Sequence, residues 1–308
     1  MSGERSGQRT YWHLSGLGRM PSDYDIGTSR LLYYPERGFE VATPVAAFYA
    51  RYQEGSRLRL RPEDGERFRD PRETTYARYT ELQRWKEIYV DGILRTLDDG
   101  SYDRRLDPAW VRTLGAVLGP LRYPVHGLQM IAAYVGSMAP AGRVVITCAL
   151  QAADEMRRIQ RLAYRLRQLQ ETHPRLGADA RARWQDDSMW QPLRHLIERL
   201  LVTYDWGEAF TALSLVVKPA FDELFLVRFG RLAAARGDEA LQKIFGSLGE
   251  DAAWHHDWSA ALARCTIESD AGNAAVIDEW TAQWTPATRA AVTAFTPLFD
   301  GVAEGGGS

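Results

Sequence analysis

The chain has 308 residues, of which 45% are hydrophobic and 25% charged, and it carries a formal net charge of -2. That length supports one large domain or two small ones, with enough core to fold without disulfides or structural metals. The near-neutral balance, with basic residues scattered among acidic ones, excludes a nucleic-acid partner held by bulk electrostatics.

The polar start "MSGERSGQRT" has no apolar segment of the signal-peptide kind. Residues 1–42 carry many aromatics, in "TYWHL", "SDYDIGTSRLLYY" and "GFEV", without a sustained period. They are expected to form an N-terminal arm that packs on its own body or on a partner. Residues 43–300 are expected to form one helical domain, and the tail at 301–308, with its "EGGGS", a flexible end.

Helix starts recur with one signature, a capping residue followed by proline at the first helical position. Thr43–Pro44, Asp70–Pro71, Asp107–Pro108 and Thr285–Pro286 carry it, and Glu73 is placed to complete a capping box with Asp70. After Pro71, Leu82, Trp85, Tyr89, Ile93 and Leu97 make an amphipathic stripe at helical spacing. The most apolar stretch, from Ile131 to Leu150, is broken by Pro140 and Arg143, so no membrane span is expected. "RVVITCAL" is β-branched but runs directly into a helical pattern from Arg143 to about Gln170. Leu193, Leu196, Ile197, Leu200 and Leu201 form another stripe. Residues 205–217 and 219–235 read as one helix kinked at Pro219. Two further helices are expected at 238–248 and 250–268. Trp254 with Trp258, and Trp280 with Trp284, are spaced as core or interface stripes. With no convincing strand pair and no internal repeat, the class is all-α. Cys148 and Cys265 are far apart and expected to be free, buried thiols.

One stretch raises a chemical question. "ADEMRRIQRLAYR" (Ala153–Arg165) places Glu155 three residues before Arg158 on one helix face, the spacing of the Glu-x-x-His motif that grips iron in carboxylate-bridged di-iron bundles. Arginine has no acceptor and keeps its proton, so it is no ligand. The remaining demands of such a centre fare no better. Between Pro108 and Ala153 there is no Asp or Glu. Glu208 would meet a third demand. For the fourth, "EDAAWHHDW" offers His255 but puts Ala252 where the Glu belongs. One motif has lost its His and the other its Glu, and Glu208 with His255 cannot hold two irons. The plainer expectation is that Glu155 and Arg158 pair within their helix and that His255 and His256 are structural or surface imidazoles. No P-loop, dinucleotide fingerprint, nucleophile elbow or zinc-protease motif is present.

These residues resemble the β subunit of the hydroxylase component of soluble di-iron multicomponent monooxygenases, most closely the toluene group. "PLRYPVHGLQMIAAYVGSMAP" (Pro120–Pro140), the Ala153–Arg165 stretch, "YDWGEAFTALSLVVKP" (Tyr204–Pro219) and "HHDWSAAL" (His255–Leu262) carry the resemblance. It implies a ferritin-like helical bundle with extra helices and an extended arm. It also implies a cytoplasmic, non-catalytic subunit without a cofactor of its own, whose degenerate ligand positions are Glu155, Arg158, Glu208, Ala252 and His255. The di-iron centre would sit in the partner α subunit, within an (αβγ)2 assembly. NADH, flavin and Fe–S centres would belong to a reductase and a Rieske ferredoxin, and an effector protein would bind the hydroxylase. A toluene-like aromatic is the first expectation for the substrate, with alkene, isoprene or phenol systems as the alternative. Two other readings are a stand-alone ferritin-like enzyme with an unusual metal site and a free helical binding module. Glu155, Arg158, Glu208 and His255 are then expected to face one pocket closed by polar pairing.

Overall fold

The computed structural model describes residues 11–29 and 43–300. Those residues form helices and connecting turns, with no strand among them. Seven longer helices build the body: α1 (Tyr76–Arg95), α2 (Pro108–Met138), α3 (Gly142–Thr172), α4 (Gln191–Leu201), α5 (residues 206–235), α6 (Glu239–Ser269) and α7 (Gly272–Thr293). Short helices such as Asp23–Thr28, Pro62–Gly65 and Ala180–Asp186 fill the connections. Among the described residues, no helix is long and apolar enough to cross a membrane.

The α2–α3 hairpin is the spine. Asp107 caps α2 by accepting from the Ala109 and Trp110 amides, with Pro108 in the first turn. Glycines let the helices around α2 approach closely. A Cβ on Gly136 would stand 2.8 Å from the Cβ of Cys148 on α3, and one on Gly127 would stand 2.3 Å from Cγ2 of Ile197 on α4. Ile197 branches at Cβ and has little freedom to yield. Gly127→Ala is therefore expected to lose stability. Overpacking costs about 1–3 kcal/mol, against a helix-propensity gain of about 1 kcal/mol. A lowered urea midpoint would show the loss.

Several expected boundaries move. The Asp70 carboxylate accepts from the amides of Arg72 and Thr74 and from the Trp254 indole, so it caps a turn rather than a helix. Glu73, at φ 46°, completes no capping box and pairs with Arg69 instead. The helix starts at Tyr76, capped by Thr75. Pro286 lies inside α7, whose first turn is fourteen residues upstream at Gly272. The two helices expected at 238–268 are one, α6. α5 runs through Pro219 as expected, but two π-helical stretches, Thr211–Val217 and Glu223–Arg228, flank the short α-helical turn Lys218–Asp222.

The largest departure concerns α1. Its apolar stripe points outward, with Trp85 60% and Tyr89 51% exposed and Leu82 and Ile88 also open. Its polar face meets the body. Tyr79 and Gln83 reach Asp154, Lys86 reaches Asp251, Glu87 pairs with Arg157 and Arg161, and Asp91 pairs with Arg161. Only Val90 and Leu94 of this helix are fully buried. The stripe was legible as helical; the side it faces is set by the charged residues of α3 and α6.

The described part of the arm lies against the body. Tyr24 accepts from the Asp70 amide, and the buried Asp25 carboxylate pairs with Arg19, Arg69 and Arg143. The rest of residues 1–42, and the tail at 301–308, lie outside the described residues. Trp254, Trp258, Trp280 and Trp284 are all buried. Both cysteines are free. Cys148 is buried, and burial pushes its thiol up to about 12, whereas Cys265, expected to be buried, is only half so.

Candidate functional site

Three helices bring charged side chains together in the interior. α3 supplies Asp154, Glu155 and Arg158, α5 supplies Lys218 and Asp222, and α6 supplies Asp251, His255 and His256. On α3, steps of three and four residues put Asp154, Glu155 and Arg158 on the inward face. On α5, Lys218 and Asp222 are one turn apart, in the short α-helical segment between the two π-helical stretches. An extra residue per turn re-aims the side chains that follow, and such widened turns recur at functional positions.

The centre is an ionic cluster. Lys218 Nζ stands 2.6 Å from Glu155 Oε1 and 2.8 Å from Asp222 Oδ2. Arg158 Nη1 stands 2.9 Å from Asp222 Oδ1 and 3.4 Å from Glu155 Oε2. All four side chains are at most 3% exposed. Two carboxylates and two cations balance in charge, which is the condition for burying ions at tolerable cost. The expected Glu155–Arg158 pair exists, but the shorter contact of Arg158 runs to α5. Burial works against the Asp222 carboxylate, yet Lys218, Arg158 and His256 outweigh it and hold the acid far below the usual range.

His255 is bound on the other side. Its Nε2 lies 2.9 Å from Asp154 Oδ2, and its Nδ1 lies 4.0 Å from Glu155 Oε1 without a hydrogen bond. Burial, reinforced by the nearby Lys218 charge, pushes the imidazole down to about 3, so it is neutral. Burial and the neighbouring Asp251 charge raise the Asp154 acid well above its ordinary value. The contact is thus a hydrogen bond rather than an ion pair. Asp154 also takes hydrogen bonds from the Tyr79 hydroxyl and the Gln83 amide, both at 2.8 Å. His256 is 37% exposed and reaches Asp222 Oδ2 at 3.2 Å.

The structure therefore gathers Glu155, Arg158 and His255. Glu208 is not part of this cluster, contrary to expectation. Asp205 caps the first turn of α5 and Glu208 turns to α7, where it accepts from the Trp284 indole at 3.0 Å and from the Gln283 amide at 3.1 Å. Ala252 is buried and brings no donor atom. The sequence reading missed Lys218 and Asp222. Their signal is two opposite charges one turn apart inside the apolar run "LSLVVKPAFDELFLV".

The chain matches the Methane/Phenol/Alkene Hydroxylase family over residues 45–270. It is 35% identical over 298 residues to the hydroxylase component subunit beta of the toluene-4-monooxygenase system of Ectopseudomonas mendocina, covering 94% of this chain and 90% of that protein. The chain belongs to this hydroxylase family. The hydroxylase component small subunit of propane 2-monooxygenase from Mycolicibacterium goodii is 26% identical over 201 residues, which are 63% of this chain and 55% of that subunit. Among solved structures, a chain of toluene 4-monooxygenase with toluene bound in its resting active site superposes with a TM-score of 0.89 at 33% identity, covering 96% of this chain and 99% of that one. A chain of phenol hydroxylase from Pseudomonas sp. OX1 shares the fold, with a TM-score of 0.86 at 19% identity, over 97% of this chain and 90% of that one. The helical body is thus the all-α, ferritin-like hydroxylase fold, and this chain is a homologue of its β subunit.

The interior donor set does not fit the di-iron centre that the fold implies elsewhere. Arg158 stands where one His is required and Ala252 where one Glu is required. Glu208 is committed to Trp284, and the carboxylates of Glu155 and Asp222 are already bound by Lys218 and Arg158. Among the described residues, no group of three or more His, Cys, Asp and Glu is arranged to hold a metal ion.

The depressed acids give a pH dependence. Hydrogen bonds from Ser22, Arg69 and Arg19 outweigh burial and hold Asp25 below the carboxylate range, as the cluster does Asp222. A folded-state pKa below the unfolded one contributes stability that is present above the unfolded value, about 4, and lost as pH falls through the folded value. Urea midpoints are expected to fall steadily below about pH 4. Asp25→Asn should start lower at neutral pH and fall less steeply, because one of the linked protons is gone.

Proposed function

We propose that this chain is the non-catalytic β subunit of a cytoplasmic, NADH-dependent multicomponent monooxygenase, and that it scaffolds a di-iron α subunit in an (αβγ)2 hydroxylase. The observation that carries the reading is the interior ionic cluster, in which Arg158 and Lys218 hold the Glu155 and Asp222 carboxylates in charge-balanced pairs. The outward stripe of α1 supports it. A helix that turns its charged face to its own body and Leu82, Trp85, Ile88 and Tyr89 to the outside has its apolar side reserved for another chain. The stripe runs into a groove of about 540 Å³ where Ile88, Tyr89, Ile93 and Leu97 are rimmed by the charged Arg105, Glu239 and Lys243. A large subunit with a complementary apolar face, as in obligate oligomers, fits that surface.

The substrate of the assembled enzyme is a small hydrocarbon, with toluene-like aromatics first. Electrons from NADH reach the α subunit through a reductase and a Rieske ferredoxin, with an effector protein bound to the hydroxylase. The test is co-expression with the neighbouring genes, followed by size exclusion and iron analysis. A large complex with two irons per partner subunit, together with an iron-free preparation of this chain alone, is expected. A monodisperse single chain that carries near-stoichiometric iron would overturn the reading.

A further inference from the structure

Helix α1 is fixed at its two ends and held by polar contacts in between. Ahead of it, the buried Thr74 is tied through its amide to the buried Asp70 carboxylate. At its far end Val90 and Leu94 are buried, and so is Leu97 just beyond. Between these anchors, residues 76–89 have no fully buried side chain. What they set against the body is a row of polar groups. The Tyr79 hydroxyl and the Gln83 amide both reach Asp154 Oδ1 at 2.8 Å. Gln83 and Lys86 reach Asp251 Oδ1 at 2.9 and 2.6 Å, and Glu87 pairs with Arg157 and Arg161. A segment held this way gives up little apolar burial when it lifts, and water can replace its hydrogen bonds at small net cost. The closed seam also carries a cost of its own, because Gln83 Oε1 is buried there without a hydrogen-bond partner.

We propose that residues 76–89 act as a strap that opens and closes over the Asp154–His255 pair while the rest of the helical body stays folded. Asp154 lies directly under the seam. One of its oxygens takes the two α1 donors, and the other meets His255 Nε2 at 2.9 Å. Burial is the leading cause of both the raised Asp154 acid and the lowered His255 imidazole, and Tyr79 and Gln83 supply part of that cover. Because both ends are fixed, opening means unwinding. The extended chain is longer than the helix it replaces and bows away from α3 and α6. The α2–α3 hairpin has no such freedom, since its buried apolar side chains and the close approach at Gly136 interlock the two helices. The proposal concerns this chain alone and stands whether or not it is a hydroxylase subunit.

Two measurements on the full chain test the strap. In hydrogen exchange read by mass spectrometry, the amides of residues 80–89 are expected to exchange about tenfold or more faster than those of residues 114–135 in α2. The difference should widen in about 1 M salt, which weakens the Lys86 and Glu87 pairs at the edge of the seam. In carboxyl labelling with a water-soluble carbodiimide, Asp154 is expected to react several-fold faster than Asp222. Both acids are at most 3% exposed, so exposure in the closed chain predicts no difference between them. Tyr79→Phe combined with Gln83→Leu should accelerate both readouts at α1 and leave α2 unchanged. Exchange at 80–89 as slow as in α2 at either salt level would overturn the proposal. So would labelling of Asp154 no faster than that of Asp222, which would mean that α1 opens only when the whole body unfolds. If the double variant does not fold, these two wild-type comparisons decide by themselves.

Discussion

Arg158→His is expected to lower stability by about 3–5 kcal/mol and to leave the chain without bound iron. The substitution restores a Glu-x-x-His spacing with Glu155, so by motif alone it ought to rebuild half of a di-iron site. The packing argues otherwise. Arg158 Nη1 is 2.9 Å from Asp222 Oδ1 and 3.4 Å from Glu155 Oε2, and its guanidinium also lies over the Phe221 ring. A histidine is shorter, and a neutral one brings no charge to either acid. Asp222 would keep only Lys218 and His256, and Glu155 only Lys218. Removing one member of a buried charged set costs far more than the set contributes, because the remaining charge stays desolvated. Lys218 would still stand between the carboxylates, so no open position for a metal is created. Guanidinium denaturation and iron analysis of the purified variant measure the two halves. Wild-type stability would mean that the Arg158 pairs contribute nothing net, and stoichiometric iron would mean that Lys218 yields its place readily.

That contrast shows which parts of the site were legible in the sequence. Glu155 and Arg158 share one helix, so their spacing alone places them on one face, and the absence of acids from Pro108 to Ala153 is a plain count. Lys218 and Asp222 carry a weaker mark, opposite charges one turn apart inside an apolar run. Their spacing alone is that of an ordinary helix pair, and their partner Glu155 is more than sixty residues away in the chain. Glu208 failed for a related reason. It lies in the first turn of α5, but a buried Trp284 indole from α7 needed an acceptor, and no periodicity on α5 reports that. The fold behaved similarly. The all-α class followed from helical stripes that recur along the body. The starts at Pro71 and Pro286 were misplaced because a cap-and-proline pair suits a turn, or a helix interior near its last turns, as well as a first turn. For α1 the period was right and the direction was not. A stripe says that one side is apolar; Arg157, Arg161 and Asp251 on the neighbouring helices decided that its opposite side faces the body.

Trp85→Asp follows from that orientation, and its expected effect is confined to assembly. Trp85 is 60% exposed at the middle of the stripe, flanked by Leu82 and Tyr89. It contributes little to the folded chain, so an exposed substitution there should change stability by no more than about 0.5 kcal/mol. The helix is held from its other side, through Tyr79, Gln83, Lys86 and Glu87, and none of those contacts involves the indole. In an interface the balance reverses. A tryptophan at the centre of an apolar patch is the residue type that dominates binding, at about 2–4 kcal/mol, and an aspartate there adds an unpaired, desolvated charge. Association with the proposed partner subunit is therefore expected to weaken by roughly 30- to 1000-fold. The measurement pairs a melt of the isolated variant with its co-elution alongside the co-expressed components. An unchanged melt with lost co-elution places the α1 face at the subunit contact. Co-elution at wild-type level would move that contact elsewhere and leave the outward stripe of α1 without an occupant. A collapsed melt would mean that Trp85 packs within the chain after all, against the exposure on which the argument rests.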